Sequence, residues 1–340
     1  MPVHYFLNQF LSYLECKTND TSFLSPRFMG MRDKEKNILS KDMAIDHFNA
    51  FRRDIKDVKS EKEDSHTLVY FTLNELRYIL KIRYDNEGKI NSIVEELYRE
   101  DDKVCVIVIE YDGSRYYGMQ KQKNESMDTI QDELEKALKI MTGKEMFVFP
   151  SSRTDKGVHA MGQVVHFASQ GISPESYKYA LNNILPKDIR VKDAYLRSQL
   201  FNSRYDVVSK TYNYVIDMGE YSVFKKDHVL YTKVNNIARM REELKSLKGT
   251  HDFEAFCKGE KEDTIRTIFD AQLHLDGDRL ILTFTADGFL HNMIRFIVGE
   301  LLEIDKTGVG SLKVLIDSKD KNKTPHLAPA SGLYLVGIQY

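Results

Sequence analysis

Apolar residues in this 340-residue chain follow two rhythms, one near the helical period and one alternating or continuous as in strands. Phe6, Phe10, Leu11 and Leu14 recur at near-helical spacing and predict an opening helix. Residues 51–66 are dense in mixed charge, including Arg52, Arg53, Lys59, Glu61, Lys62, Glu63 and Asp64, and read as a solvated helix end and loop. The runs 67–71, 76–84 and 89–97 read as strands, and Asp85-Asn86-Glu87-Gly88 turns between the last two. The acidic patch Glu100-Asp101-Asp102 then marks the boundary of a small N-terminal α+β domain covering 1–100.

From Val104 onward the order of elements becomes regular. A strand at 104–109 precedes a helix from about Asp128, which that residue can cap while Gln131 reaches back. Ile130, Leu134, Ala137, Leu138 and Met141 fall on one face of the helix. Strands near 146–149 and 162–168, a helix at 174–185 and a strand at 189–196 complete β-α-β-β-α-β within 104–205. The order repeats within 206–340. A strand at 211–216 leads to a helix at 236–248, striped by Ile237, Met240, Leu244 and Leu247 and ended by Gly249. A hairpin at 267–275 and 280–286 turns at Asp276-Gly277-Asp278, before a helix at 289–304 and a last strand at 333–339. The fold class is α+β, with two ferredoxin-like β-α-β-β-α-β halves and a site expected in the cleft between them.

Composition narrows the setting. A hydrophobic fraction of 42% with 29% charged residues is that of an ordinary globular protein, and the length calls for more than one core. The absence of a bilayer-length apolar stretch or a secretory signal pattern makes the cytoplasm the expected compartment. Cys16, Cys105 and Cys257 are too scattered for a disulfide framework or zinc site. A net charge of −2 argues against binding nucleic acid by bulk charge, yet leaves room for a local basic face.

The candidate chemistry centres on Ser151-Ser152-Arg153-Thr154-Asp155-Lys156-Gly157-Val158-His159-Ala160, a tight turn between two strand-like runs. A loop held by rigid flanks exposes side chains without losing their aim. Asp155 offers a carboxylate, ionised at neutral pH, that can add to carbon or take a proton. Arg153, two residues earlier, projects to the same side of an extended segment. The competing reading is a turn in which Thr154 and Asp155 satisfy local backbone donors. Tyr212 and Tyr214 share one strand face, where at least one serves as core. Lys156 and Lys210 are candidate phosphate contacts or solvated lysines. His159 and His291 combine with Asp155 in no ligand spacing, so no metal is expected.

Several segments together resemble the TruA-type tRNA pseudouridine synthases. They are Arg153-Thr154-Asp155-Lys156-Gly157-Val158-His159-Ala160, Glu110-Tyr111-Asp112-Gly113-Ser114-Arg115-Tyr116-Tyr117-Gly118-Met119-Gln120, Lys210-Thr211-Tyr212-Asn213-Tyr214, Gly288-Phe289-Leu290-His291-Asn292-Met293-Ile294-Arg295, and Ala328-Pro329-Ala330-Ser331-Gly332-Leu333-Tyr334-Leu335. The likeness runs from about Val104 to Tyr340, and residues 1–100 have no counterpart in it. It implies a cofactor-free isomerase of uridine in tRNA, acting on the anticodon stem-loop at positions 38–40, with homodimerisation as a further possibility. Asp155 becomes the catalytic carboxylate, and Arg295 its partner through two parallel hydrogen bonds. Tyr212 stacks on the target uracil, and Arg153 fills the gap left by the flipped nucleotide.

Three departures from the bacterial pattern bear on substrate more than on chemistry. Met119 stands where Trp is common, Ser152 where Gly is common, and Lys156 where Ala is common. Other tRNA positions or another RNA are therefore the nearest alternative substrates. A non-catalytic RNA-binding protein on RRM-like sheets is the alternative outside the enzyme class, but the strands lack an aromatic RNP consensus.

Overall fold

The computed structural model describes the chain except residues 1, 2, 16, 27, 35, 64, 86, 99–102, 122–126 and 260–262. Of the expectations above, Cys16, Asp64, Asn86, the acidic patch at 100–102 and the side chain of Phe6 lie outside the described residues. The chain divides into two compact units, Met1–Val104 with Arg197–Phe201, and Cys105–Leu196 with Asn202–Tyr340. Among the described residues no helix is long and apolar enough to cross a membrane.

The first unit contains α1 (Val3–Leu14), β1 (Gly30–Arg32), β2 (Ile38–Leu39), α2 (Lys41–Phe51), β3 (Lys56–Lys62), β4 (Thr67–Leu73), β5 (Leu76–Tyr84) and β6 (Ile90–Leu97). Its strands form one sheet in the order β2-β1-β6-β5-β4-β3. Phe10, Tyr13, Phe23, Phe48, Phe71 and Tyr78 are buried in its main core. Leu68, Ile79 and Leu200 form a second, smaller cluster. Burial of both faces explains why β4 reads as a continuous apolar run rather than an alternating one. Lys81 is buried as well, and its ammonium donates to the Leu200 carbonyl at 2.7 Å, which offsets the cost of taking the charge from water.

The charged stretch at 51–66 corrects the sequence reading in part. The helix does end at Phe51, but Lys56–Lys62 is a strand rather than a loop. It lies at the end of the sheet, paired on one side with β4, and its residues are almost all exposed. Charge at such a position discourages pairing with another chain, so the pattern reflects edge protection rather than loop solvation.

The second unit carries β7 (Lys103–Tyr111, entering from the unit boundary), α3 (Ile130–Thr142), β8 (Phe149–Pro150), β9 (His159–Ala168), α4 (Pro174–Ile184) and β10 (Ile189–Ser198, whose end crosses into the first unit). There follow β11 (Ser209–Asp217), β12 (Leu230–Tyr231), α5 (Ile237–Lys245), β13 (Gly249–Asp252), β14 (Ile265–Asp276), β15 (Arg279–Ala286), α6 (Met293–Thr307), α7 (Leu312–Ser318) and β16 (Leu333–Gln339). The path β10-β7-β9-β16-β11-β15-β14-β13 is one continuous sheet, with β8 on β9 and β12 on β11. The join is β16, parallel to β9 at Tyr334↔His159 and Leu335↔Ala160 and antiparallel to β11 along Ser209–Tyr214.

Element ends differ from expectation for local reasons. Thr129, not Asp128, caps α3 by accepting from the Asp132 N–H, and Gln131 donates to Glu135 and the Val148 carbonyl instead of reaching back. Helix α5 closes at Ser246, and Gly249 opens β13. The region 146–149 contributes buried Met146 and Val148, but only Phe149–Pro150 pairs as a strand. Helix α6 begins four residues later than its apolar pattern because Asn292 adopts a left-handed backbone (φ 63°).

Residues 326–328 run against α6 as a strap. Arg295 O accepts from the Ala328 N–H at 3.0 Å, and buried Glu300 accepts from the His326 N–H at 2.9 Å. Gly299 permits this approach, since a Cβ there would lie 2.1 Å from the His326 carbonyl oxygen. Gly299→Ala is therefore expected to lower stability by about 2–4 kcal/mol through a backbone overlap that no rotamer can relieve. Urea denaturation checks it, and a loss under about 0.5 kcal/mol, the range of neutral surface changes, would show that the strap yields freely.

Candidate active site

The turn after Pro150 is held by the loop that follows β7. The hydroxyls of Tyr111 and Thr154 share a hydrogen bond at 2.7 Å, and the Met119 N–H donates to the Thr154 carbonyl at 3.1 Å. Gly118 makes the crossing possible: its φ is +91°, and a Cβ would fall 2.4 Å from the Thr154 oxygen. Within the turn, the Val158 N–H donates to the Asp155 carbonyl at 3.1 Å. Thr154 is thus buried as an anchor while its neighbours Arg153 and Asp155 stand on the open side, Arg153 exposed and Asp155 partly so. The local turn reading holds for Thr154, but the Asp155 carboxylate is left for longer-range partners.

Those partners come from α6 and the segment just before it. Arg295 donates through Nη1 to Asp155 Oδ2 at 3.4 Å. The two parallel hydrogen bonds expected between them are not formed. Arg295 instead spends Nε on the Ala328 carbonyl at 2.8 Å and shares Nη1 with Asn292 Oδ1 at 3.1 Å. The guanidinium is therefore aimed by the strap and by the left-handed Asn292, and meets the carboxylate with one corner. His291 Nε2 lies 3.5 Å from the other oxygen, Asp155 Oδ1. The Asp155 side chain keeps 28% of its surface accessible, Arg295 only 16% and His291 49%, which places the histidine at the outer side of the carboxylate.

Tyr212 rises from β11 into the same region. Its ring meets Phe289 edge to face, with centroids 5.3 Å apart, and its hydroxyl lies 2.7 Å from Ser152 Oγ. Burial pushes the phenol up to about 12, with a smaller contribution from the Asp155 charge. It therefore keeps its proton at neutral pH and remains available as a donor. Tyr214, on the same strand face, is fully buried and donates to the Pro329 carbonyl at 2.8 Å, which makes it core. Of the four residues singled out from the sequence, Asp155 and Arg295 touch, Tyr212 joins them through the Ser152 side of the turn, and Arg153 points to solvent.

Sequence reasoning passed over Ser152, Asn292, residues 326–328 and His291 as parts of the site. His291, weighed beside Asp155 as a metal ligand, lies in the turn before α6 rather than on a helical face with Arg295. The others act through contacts between distant segments, which no local pattern reveals. His159, weighed with His291 and Asp155 as a metal ligand, lies instead beside Asp112 and His228. Its Nε2–H donates to the Asp227 carbonyl at 2.9 Å and its Nδ1 accepts from the Gly113 N–H at 3.2 Å. Burial holds this imidazole below the usual histidine range, and it braces the Asp112-Gly113-Ser114 turn as a neutral ring.

Lys156 sits over the Tyr117 ring at 4.0 Å from its centroid. Lys210 lies under the turn, where its ammonium donates to the Ser151 carbonyl at 2.8 Å. Burial, and secondarily the Arg204 charge, push Lys210 down to about 8. An unfolded lysine titrates near 10.4, so between pH 8 and about 10.4 the unfolded chain binds the extra proton and stability rises with pH. Below pH 8 both states are protonated and the full cost of the buried cation is present. Lys210→Met should consequently gain most over wild type at pH 7–8 and lose that advantage by pH 10. Urea midpoints of the two proteins across this range decide the matter, and a gap independent of pH would contradict it.

The geometry joins a carboxylate, a guanidinium and a buried phenol at a turn that also carries the exposed cations Arg153 and Lys156. Such a set can bind an anionic polymer, stack a planar base and carry out carboxylate chemistry at a carbon centre. A family model described as tRNA pseudouridine synthase matches residues 107–206 and 244–340. The tRNA pseudouridine synthase A of Exiguobacterium sibiricum is 41% identical over 237 residues, spanning 68% of this chain and 94% of its own length. That of Bacillus subtilis is 40% identical over 241 residues, with 68% and 97% covered. The Acetivibrio thermocellus protein of the same name is 38% identical over 244 residues, with 69% and 98% covered. The chain belongs to the tRNA pseudouridine synthase family.

Proposed function

We propose that this protein isomerises uridine to pseudouridine in tRNA, acting on the anticodon stem-loop at positions 38–40. The reaction breaks the N1–C1′ bond, turns the uracil, forms a C5–C1′ bond, moves the C5 proton to solvent and returns one to N1. Atoms and oxidation level balance, so the chemistry needs no oxidant or reductant. The observation that carries the reading is the Asp155–Arg295 contact across 140 residues of sequence, made at an accessible site beside a buried tyrosine.

In this reading Asp155 is the catalytic carboxylate that starts glycosidic cleavage, and Arg295 holds it aimed once RNA has displaced water. Tyr212 lies beside the uracil, and its phenol remains protonated for hydrogen bonding. Exposed Arg153 enters the RNA stack in place of the extruded nucleotide, which offsets part of the few kcal/mol that flipping costs. Strand orders support two ferredoxin-like halves. Both β10-β7-β9-β8 and β16-β11-β15-β14 are fourth-first-third-second in chain order, with helices after the first and third strands. The halves then correspond to 104–205 and 206–340, with residues 1–100 as an added domain. The same reading assigns the reaction to the cytoplasm and allows a homodimer, whose mass light scattering would report.

The test is pseudouridine mapping on unmodified tRNA transcripts with the intact chain and no added cofactor. Wild type should form pseudouridine, and Asp155→Asn should lose roughly a thousandfold or more in rate while still binding RNA. Arg295→Lys keeps the charge but loses the planar fork, and should fall roughly 10–100-fold. Turnover by Asp155→Asn at the wild-type rate would remove the carboxylate from the mechanism. Product outside 38–40 would retain the activity and reassign its substrate position.

A further inference from the structure

The residue just before the Arg-Thr-Asp run is held unusually firmly for a turn position. Ser152 donates its N–H to Gln163 Oε1 at 3.2 Å and accepts from Gln163 Nε2 at 2.8 Å through its carbonyl. Gln163 is completely buried on β9, and its Oε1 also takes the Val164 N–H at 3.2 Å. A carboxamide that clamps both backbone groups of one residue fixes the point and direction from which its side chain leaves the chain. The hydroxyl so placed lies 2.7 Å from the Tyr212 hydroxyl, an ordinary length for a strong O–H···O bond.

Tyr212 has one remaining degree of freedom. Its ring plane is fixed by burial and by the edge-to-face contact with Phe289, so only the phenolic O–H can turn. That hydrogen favours the ring plane, where it has two positions, and the contact with Ser152 bears on which one it takes. Either hydroxyl of the pair can be the donor, and with Ser152 donating the phenol hydrogen turns away from Ser152. Ser152 then donates to the phenol oxygen, and the phenol hydrogen is presented to the reacting centre.

We propose, resting on the isomerase reading above, that Ser152 is a positioning residue for the reaction, with its hydroxyl fixing the Tyr212 phenol so that its hydrogen faces Asp155 and the bound uracil. Gln163 supports it from behind by fixing the backbone. Ser152 itself transfers no proton and touches no substrate atom. Its contribution is to remove a rotor that would otherwise have to be ordered at each turnover.

Single-turnover pseudouridine formation on an unmodified tRNA transcript, with enzyme in excess, provides the test. Ser152→Ala should slow the step roughly tenfold, the value of one well-placed hydrogen bond, while the Kd for the transcript stays within about twofold. Ser152→Thr, which restores a hydroxyl at the same place, should recover most of the rate. In a Tyr212→Phe background Ser152→Ala should add nothing, because its target is gone. Ala at the wild-type rate, Thr as slow as Ala, or an undiminished loss in the Phe background would each overturn the role of Ser152 while leaving the isomerase reading intact. Inactive wild type, folded and bound to tRNA, would overturn that reading and Ser152's role with it.

Discussion

The site depends on one strand. β16 lies between β9 and β11, parallel to the first and antiparallel to the second, and so joins two sets of strands into one sheet. Asp155 stands just before β9, Tyr212 lies on β11, and Arg295 sits on the helix whose chain returns through the strap into β16. Asp155 and Tyr212 are thus borne just before or on the strands that flank the seam, and Arg295 is tied through the Ala328 carbonyl to the segment that leads into it. The register of the seam, Tyr334 against His159 and Leu335 against Ala160, fixes how β16 lies along the strand that follows Asp155.

The single contact between Asp155 and Arg295 follows from what else the guanidinium must do. A fully forked pair would satisfy the carboxylate on one side, yet the Arg295 Nε is already committed to the Ala328 carbonyl. The remaining corner reaches Oδ2, and His291 approaches Oδ1 from the exposed side. The result is a carboxylate held at its edge rather than enclosed. A nucleophile or base tied up in a complete ion pair would have to break it before reacting; one with a partial pair and an open face does not.

Much of the architecture was legible because it rests on local periodicity. The last strand at 333–339, the strands at 76–84 and 189–196 and the stripes of the helices α3 and α5 all follow from apolar spacing, and nearly the same bounds appear in the structure. Periodicity failed where backbone or charge took precedence. Asn292 delays α6 by entering the left-handed region, and β3 is a strand made of residues that read as solvated loop. In the site, Asp155 was visible from its turn and Arg295 only through resemblance to a known family. Ser152, the strap and the use of Arg295 Nε depend on segments far apart in sequence, and spacing carries no record of such contacts.

The position of the seam strand also imposes an order of assembly. Residues 333–339 follow both β9 and β11 in the chain, so during synthesis the two flanking strands are complete long before the strand that unites them. Until it emerges, β9 and β11 lack the neighbour that joins them. A contact between segments this distant forms late and at a large loop-closure cost. The nascent protein therefore passes through a stage in which the flanking strands are made but not yet joined, with open edges that favour an encounter with the wrong strand.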